Sequence, residues 1–111
     1  MWEHFVLNEI MAHIQSRDIR YWRDKRGHEV DFILAHRGAD PVAIECKWSA
    51  AAAEIPPSLL AFRKQYPQGL TYIVAADVDR PFTRKVGSLV VRFVDLKTLV
   101  TELKRNTNGS G

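Results

Sequence analysis

Glu29-Val-Asp-Phe-Ile-Leu-Ala35 and Pro41-Val-Ala-Ile-Glu-Cys-Lys-Trp48 decide how this chain folds. Both are short apolar runs, and Arg37-Gly38-Ala39-Asp40 supplies turn residues between them, so they read as neighbouring β-strands. Each carries charge in its interior: Asp31 in the first, Glu45 and Lys47 in the second. A charged side chain inside a core strand is costly unless it is paired or bound to something. Side chains alternate along a strand, so Ala43, Glu45 and Lys47 point one way and Val42, Ile44, Cys46 and Trp48 the other. Glu29, Asp31, Ile33 and Ala35 share a face of their own strand in the same way. Pairing those two faces brings Asp31, Glu45 and Lys47 together.

The flanking segments fill in a domain. Trp2, Phe5, Val6, Ile10 and Ile14 recur at helical spacing over residues 2–16. Ile19–Trp22 is β-prone, and Asp24–His28 makes a polar turn into the strand at 29–35. Pro56-Pro57 suit the first turn of a helix whose apolar side carries Leu59, Leu60, Phe62 and Tyr66, with Gly69 as its stop. Leu70–Ala76 is a buried strand, Asp77–Ser88 a polar, basic loop, Leu89–Val94 another strand, and Asp95 caps a last helix through Leu103. The order is α-β-β-β-α-β-β-α, an α/β or α+β sandwich around a mixed sheet. Its first three strands form an antiparallel meander, and the crossover helix lets Leu70–Ala76 lie parallel to one of them. Residues 1–105 are expected to be one domain, excised from a longer protein, and residues 106–111 a disordered tail.

Composition narrows the function classes. The chain has 111 residues, 46% hydrophobic and 26% charged, ordinary for one globular domain. No apolar run approaches the roughly 20 residues that span a bilayer, and no signal-peptide layout opens the sequence. The single Cys46 cannot form an internal disulfide, so a cytoplasmic location is the default. A net charge of +3 favours a polyanionic partner only mildly. Its distribution says more: Arg17, Arg20, Arg23, Lys25 and Arg26 face only Asp18 and Asp24 between residues 17 and 26. Arg23, Lys25 and Arg26 are therefore candidate nucleic-acid contacts. Arg63, Lys64, Arg80, Arg84 and Lys85 are further phosphate-contact candidates, against the blander reading of solvated charge.

Asp31, Glu45 and Lys47 are the right groups to hold a divalent cation and orient a water for attack on a phosphodiester. Oxygen ligands alone favour Mg²⁺ or Mn²⁺ over zinc, and His4, His13, His28 and His36 show no zinc-ligand spacing. The first helix offers a third carboxylate, because its apolar arc is centred close to Glu3. Glu9 lies about a quarter-turn away, and one turn of misregister would swap the two. Glu29 is a candidate for the rim. Cys46, alternating away from the charged face, reads as a small buried hydrophobe rather than a nucleophile. The competing readings are a Glu45–Lys47 ion pair at a sheet edge and a buried ion-pair network, which rarely stabilises enough to explain itself.

In this arrangement the chain resembles the PD-(D/E)XK nuclease superfamily. Glu3, Asp31, Glu45 and Lys47 match its helical Glu, Asp and Glu-x-Lys in order over residues 2–76, with Val30 in place of the literal Pro. The resemblance implies a restriction-endonuclease-like core in which Asp31 and Glu45 hold Mg²⁺ with help from the Cys46 main-chain carbonyl. It implies that Lys47 acts on the water and that DNA is the substrate. Trp2-Glu-His-Phe-Val-Leu-Asn-Glu-Ile10, Tyr21-Trp22-Arg23, Gly27-His-Glu-Val-Asp-Phe32 and Ala43-Ile-Glu-Cys-Lys-Trp-Ser49 look like something narrower. They are similar to the C-terminal domain of unknown function of prokaryotic AAA-type P-loop ATPases. That likeness implies an ATPase module as partner, and the chain itself has no Gly-x-x-x-x-Gly-Lys-Ser/Thr. A homodimer is left open. Two functions follow as expectations: a Mg²⁺-dependent nuclease, or a non-catalytic nucleic-acid or partner-binding module that regulates the attached ATPase.

Overall fold

The computed structural model describes residues 2–14, 18–35, 39–50 and 54–108. The expected turn at residues 37–40 lies partly outside them, as do Arg17 and residues 109–111 of the expected tail. Nine elements follow one another: α1 (Trp2–His13), β1 (Asp18–Arg23), β2 (Glu29–Ala35), β3 (Val42–Lys47), α2 (Pro57–Gln65), β4 (Thr71–Ala75), β5 (Phe82–Val86), β6 (Leu89–Val94) and α3 (Leu96–Asn108). The strands form one mixed sheet in the order β1-β2-β3-β4-β6-β5. The expected meander is there: β1, β2 and β3 are antiparallel neighbours. So is the crossover, since α2 returns the chain to β4 parallel to β3.

Helices cover both faces. On one side α1 and α3 pack Val6, Ile10, Leu99 and Leu103 against Phe32, Leu34, Ile44, Tyr72 and Val74. On the other, α2 lays Leu59 and Phe62 on Val30, Ile33, Ala43, Ile73 and Phe93. Burying both faces is what lets β4 read as an unbroken apolar run, Thr-Tyr-Ile-Val-Ala.

Two expectations need correction. Asp77–Ser88 is not wholly loop, for Phe82–Val86 forms the edge strand β5, joined to β6 by Gly87-Ser88. Val86 and Leu89 face each other across that two-residue turn, and Gly87 takes φ 60°, the geometry such hairpins need. All five residues of β5 are exposed, so no burial alternation marked the strand. Phe82 nevertheless stacks on Phe93 at 4.7 Å between centroids, and the Arg84 guanidinium lies 5.1 Å from the Phe93 ring centroid. The last helix also passes Leu103 and runs to Asn108.

Arg63 is the third correction. It was a candidate phosphate contact, yet it is 6% exposed and spends its donors inside the protein. Nε donates to Thr71 Oγ1 at 2.8 Å, and the two terminal nitrogens donate to the carbonyls of Tyr66, Gln68, Pro41 and Leu70 at 2.6–3.1 Å. The guanidinium thereby ties the start of β3 to the α2–β4 connection. Burial lowers its pKa to about 10, which leaves it charged at neutral pH. Gly69 makes the approach possible: at φ 122°, a Cβ there would sit 2.2 Å from the Pro41 carbonyl oxygen.

Arg63→Ala removes a charged donor from five acceptors, of which the Leu70 carbonyl keeps the Ala43 N–H, and should cost about 3 kcal/mol. In a domain this size that is a drop of more than roughly 10 °C in thermal midpoint. Arg63→Lys should not restore it, because an ammonium cannot reach a planar fork of acceptors. Thermal melts of both variants and of Gly69→Ala check this; a loss under about 1 kcal/mol in Arg63→Ala would contradict the tie.

Candidate functional site

The β2–β3 ladder pairs Leu34 with Val42, Ile33 with Ala43 and Phe32 with Ile44, where the regular pairing ends. On the other side of β2, Arg20 opposes Ile33 but Trp22 opposes Val30. Two residues of β2, Asp31 and Phe32, thus face the single Tyr21 of β1, which is a β-bulge. The bulge breaks the alternation expected for β2. Val30 and Ile33 both pack on the α2 side while Phe32 and Leu34 pack on the α1–α3 side.

Side chains take over at that break. The Asp31 N–H donates to Glu45 Oε1 at 3.0 Å, and the Cys46 N–H donates to Asp31 Oδ2 at 2.8 Å. Each strand's backbone is bonded to the other strand's carboxylate. Glu45 is 6% exposed, and the Ser58 hydroxyl in the first turn of α2 lies 3.2 Å from its Oε2. Burial, and after it the Asp31 charge, raises the Glu45 pKa to about 7. The Cys46 thiol is pushed up as well, by burial and then by the charges of Asp31, Glu3 and Glu45. That makes it a poor nucleophile, and its side chain packs against the α1–α3 core.

The remaining candidates are distributed around this pair. Glu3, in the first turn of α1, and Asp31 line one groove of about 570 Å³ together with Leu7, Met11, Arg20 and Tyr21. Glu3 lies on the inward arc of α1 yet is exposed, because this groove opens beneath it. Glu9 instead pairs with His13 at 3.3 Å along the helix surface. Lys47 is half-buried and lines a second opening, with Trp48, Glu54 and Pro57. Its charge acts to lower the Glu45 pKa, less strongly than burial and Asp31 raise it. Among the described residues Lys47 joins no ion pair within 4.0 Å, so the expected edge pair with Glu45 is not formed. Also among the described residues, no group of three or more His, Cys, Asp or Glu could hold a metal ion. Asp31 and Glu45 are brought together, and Glu3 stands across the groove.

Arg23, Lys25 and Arg26 sit on the exposed β1–β2 hairpin. Arg23 Nε donates to Glu29 Oε1 at 3.0 Å, which turns Glu29 to the hairpin rather than the site rim. Asp24 holds the turn by accepting from the Arg26 and His28 N–H groups at 2.9 Å, and its carboxyl is held below the usual range chiefly by its hydrogen bond to His28. Ser58 and Arg20 were not singled out as site residues. Nothing in their spacing marks Ser58, whereas Arg20 follows once β1 is paired with β2.

Residues 1–96 match DUF4143, a domain of unknown function. The chain belongs to the DUF4143 family. No curated protein matches it. Among solved structures, the DUF4143 chain is similar to one in an assembly of Thermococcus gammatolerans McrB AAA+ hexamers with bound McrC, at TM-score 0.65 and 13% identity. The match covers 99% of this chain and 32% of that one, so the domain spans about a third of that protein's length. At this identity the likeness is one of fold.

Glu45 sets a pH dependence with a definite sign. The folded protein keeps a proton up to about 7 that an unfolded Glu loses near 4.5. The folded state therefore binds more protons between those values, and stability falls as pH rises through that window, then levels off. Asp24 and Glu102 are held below their ordinary values, so their contributions are lost only toward the acid end. In metal-free buffer the Glu45 contribution should be on the order of 2–3 kcal/mol. Urea unfolding of wild type and Glu45→Gln at pH 4.5 and 7.5 reads it: the variant's curve should be much flatter, and equal slopes would refute the assignment.

Proposed function

We propose that this DUF4143 domain is a Mg²⁺- or Mn²⁺-dependent nuclease acting on DNA, attached to or working with an AAA+ ATPase. The observation that carries the reading is the reciprocal Asp31–Glu45 lock, which keeps a buried carboxylate beside a second one at the end of a core strand. A satisfied hydrophobic pair would stabilise that position better, so the retained charge points to a ligand. The donors fit a hard divalent cation: Asp31 and Glu45 supply oxygens, and the chain's one cysteine packs into the core. Asp31 and Glu45 would hold the ion, with Glu3 on the same groove as the candidate third ligand. Bound there, the cation supplies charge neutralisation at the scissile phosphate and a more acidic water.

The chain's own groups do the rest. The Cys46 and Asp31 N–H bonds hold the two carboxylates in place, so no reorganisation is needed when substrate arrives. Lys47, on Glu45's side of β3, orients the attacking water and offsets charge that develops on the phosphate. Arg23, Lys25 and Arg26 offer positive charge to the backbone farther out. The AAA+ partner rests on the fold likeness to a chain of the McrB–McrC assembly. One observation favours the alternative, a non-catalytic binding module that regulates the ATPase: among the described residues no third ligand joins Asp31 and Glu45.

Calorimetry with Mn²⁺ and Mg²⁺ separates the two. Wild type should bind, and Asp31→Asn/Glu45→Gln, which keeps the hydrogen-bonding shape, should lose binding. On single-stranded, duplex and branched DNA, Lys47→Ala should cut at least about 100-fold more slowly with metal affinity nearly unchanged. Metal-dependent cleavage that survives Lys47→Ala would overturn the role of Lys47. A wild type that binds neither ion, with or without DNA, would leave the binding-module reading.

A further inference from the structure

Trp48 directly follows Lys47 and is 73% exposed, and Phe5 is 54% exposed. Large apolar surfaces placed in water beside a charged site need a reason. Trp2 lies between them: its ring is 6.1 Å from Trp48, edge to face at 89°, and 5.9 Å from Phe5, nearly parallel. The cluster is fixed to the middle of the sheet. Trp2 Nε1 donates to the Val74 carbonyl of β4 at 3.4 Å, and the Trp48 carbonyl accepts from the Ala76 N–H at 3.3 Å. Just beyond, Asp77 takes the Ser49 hydroxyl at 2.6 Å and the Ala50 N–H at 2.7 Å. The backbone at Trp48 and just after it is thus tied to the end of β4 while its indole stands in solvent.

We infer that Trp48, backed by Trp2 and Phe5, is a stacking platform for unpaired bases of a nucleic-acid strand whose backbone passes Lys47. The proposal rests on the nuclease reading and names its substrate class, a single-stranded segment. Charge selects this occupant over an apolar protein face. Trp48 and Lys47 line the same opening of about 450 Å³, which sets an exposed ring and a cation on one wall of the site. Glu54 also lines that opening, and its charge favours a neutral base over a second phosphate there. Stacking on an aromatic ring needs a base free of its partner, because in a duplex both faces are already covered. A platform held by main-chain bonds loses little freedom on binding, which favours affinity.

The test is fluorescence anisotropy in EDTA and low salt, with a labelled deoxythymidine oligonucleotide, a uridine oligonucleotide and a duplex of the same length. EDTA separates this binding from metal occupancy and from cleavage. Trp48→Ala should weaken binding of both single strands about ten-fold, Trp48→Phe should keep most of it, and duplex binding should change less than about two-fold. Thermal midpoints should stay near wild type, because the side chain is exposed. Absence of single-strand binding by wild type, equal affinity in Trp48→Ala, or an equal loss on duplex would overturn the platform. If Trp48→Ala instead weakened only docking of the AAA+ partner, the patch would be a protein interface and the proposal wrong. Trp48-dependent binding alongside a failed metal titration would sink the nuclease reading and leave the platform standing.

Discussion

Where β2 and β3 part, each backbone is bonded to the other strand's carboxylate, and the rest of the structure depends on that exchange. An unpaired N–H at this depth costs roughly 1–3 kcal/mol, so the two acids stabilise the fork as they form the site. Fold and chemistry share the same hydrogen bonds. Truncating Asp31 or Glu45 therefore removes a proposed metal ligand and orphans a donor at once. Only amide isosteres test the chemistry apart from the folding, which is why the decisive variants are Asn and Gln rather than Ala.

β3 is held at both ends. At its start the Pro41 carbonyl is gripped by Arg63, and at its finish the Trp48 carbonyl takes the Ala76 N–H. Between these points the parallel register sets Glu45, Cys46 and Lys47 against Ile73, Val74 and Ala75. Glu45 and Lys47 lie at the carboxyl end of β3, which runs parallel to β4, where open α/β sheets generally place their ligand sites. Arg63 lies at the opposite end and makes no contact with the site. Its contribution is the register, and through it the aim of Glu45 and Lys47.

Much of this was legible from period alone. The β2 and β3 runs, the parallel return to β4, the inward arc of α1 and the turn of Cys46 away from the face of Glu45 and Lys47 all follow from spacings of 2 and 3.6. What period cannot show is a change of period. The bulge at Asp31 and Phe32 reverses the face of everything before it, and no residue type there announces it. Strand β5 escaped because both its faces meet water, so its Phe-Thr-Arg-Lys-Val carries no alternation to read. Arg63 looked like solvated charge because its partners are backbone carbonyls, which a sequence does not display. Ser58 depends on where α2 lands over β3, a tertiary fact with no local signature.

The electrostatics of the pair bear on the order in which ligands arrive. The charges of Asp31, Glu45 and Glu3 all press on the Cys46 thiol, while Lys47 opposes them alone. Those carboxylates disfavour a phosphate brought close to them. Under the proposed reading a divalent cation would offset that repulsion, and a phosphate would in turn supply the oxygen ligands that two carboxylates lack. Under the proposed reading the two ligands must strengthen each other by the same factor, since coupling between binding equilibria is reciprocal. A site of this kind binds metal weakly alone and tightly with nucleic acid present. The platform at Trp48 fits that economy, because stacking holds a strand near the site without requiring any phosphate to enter it first.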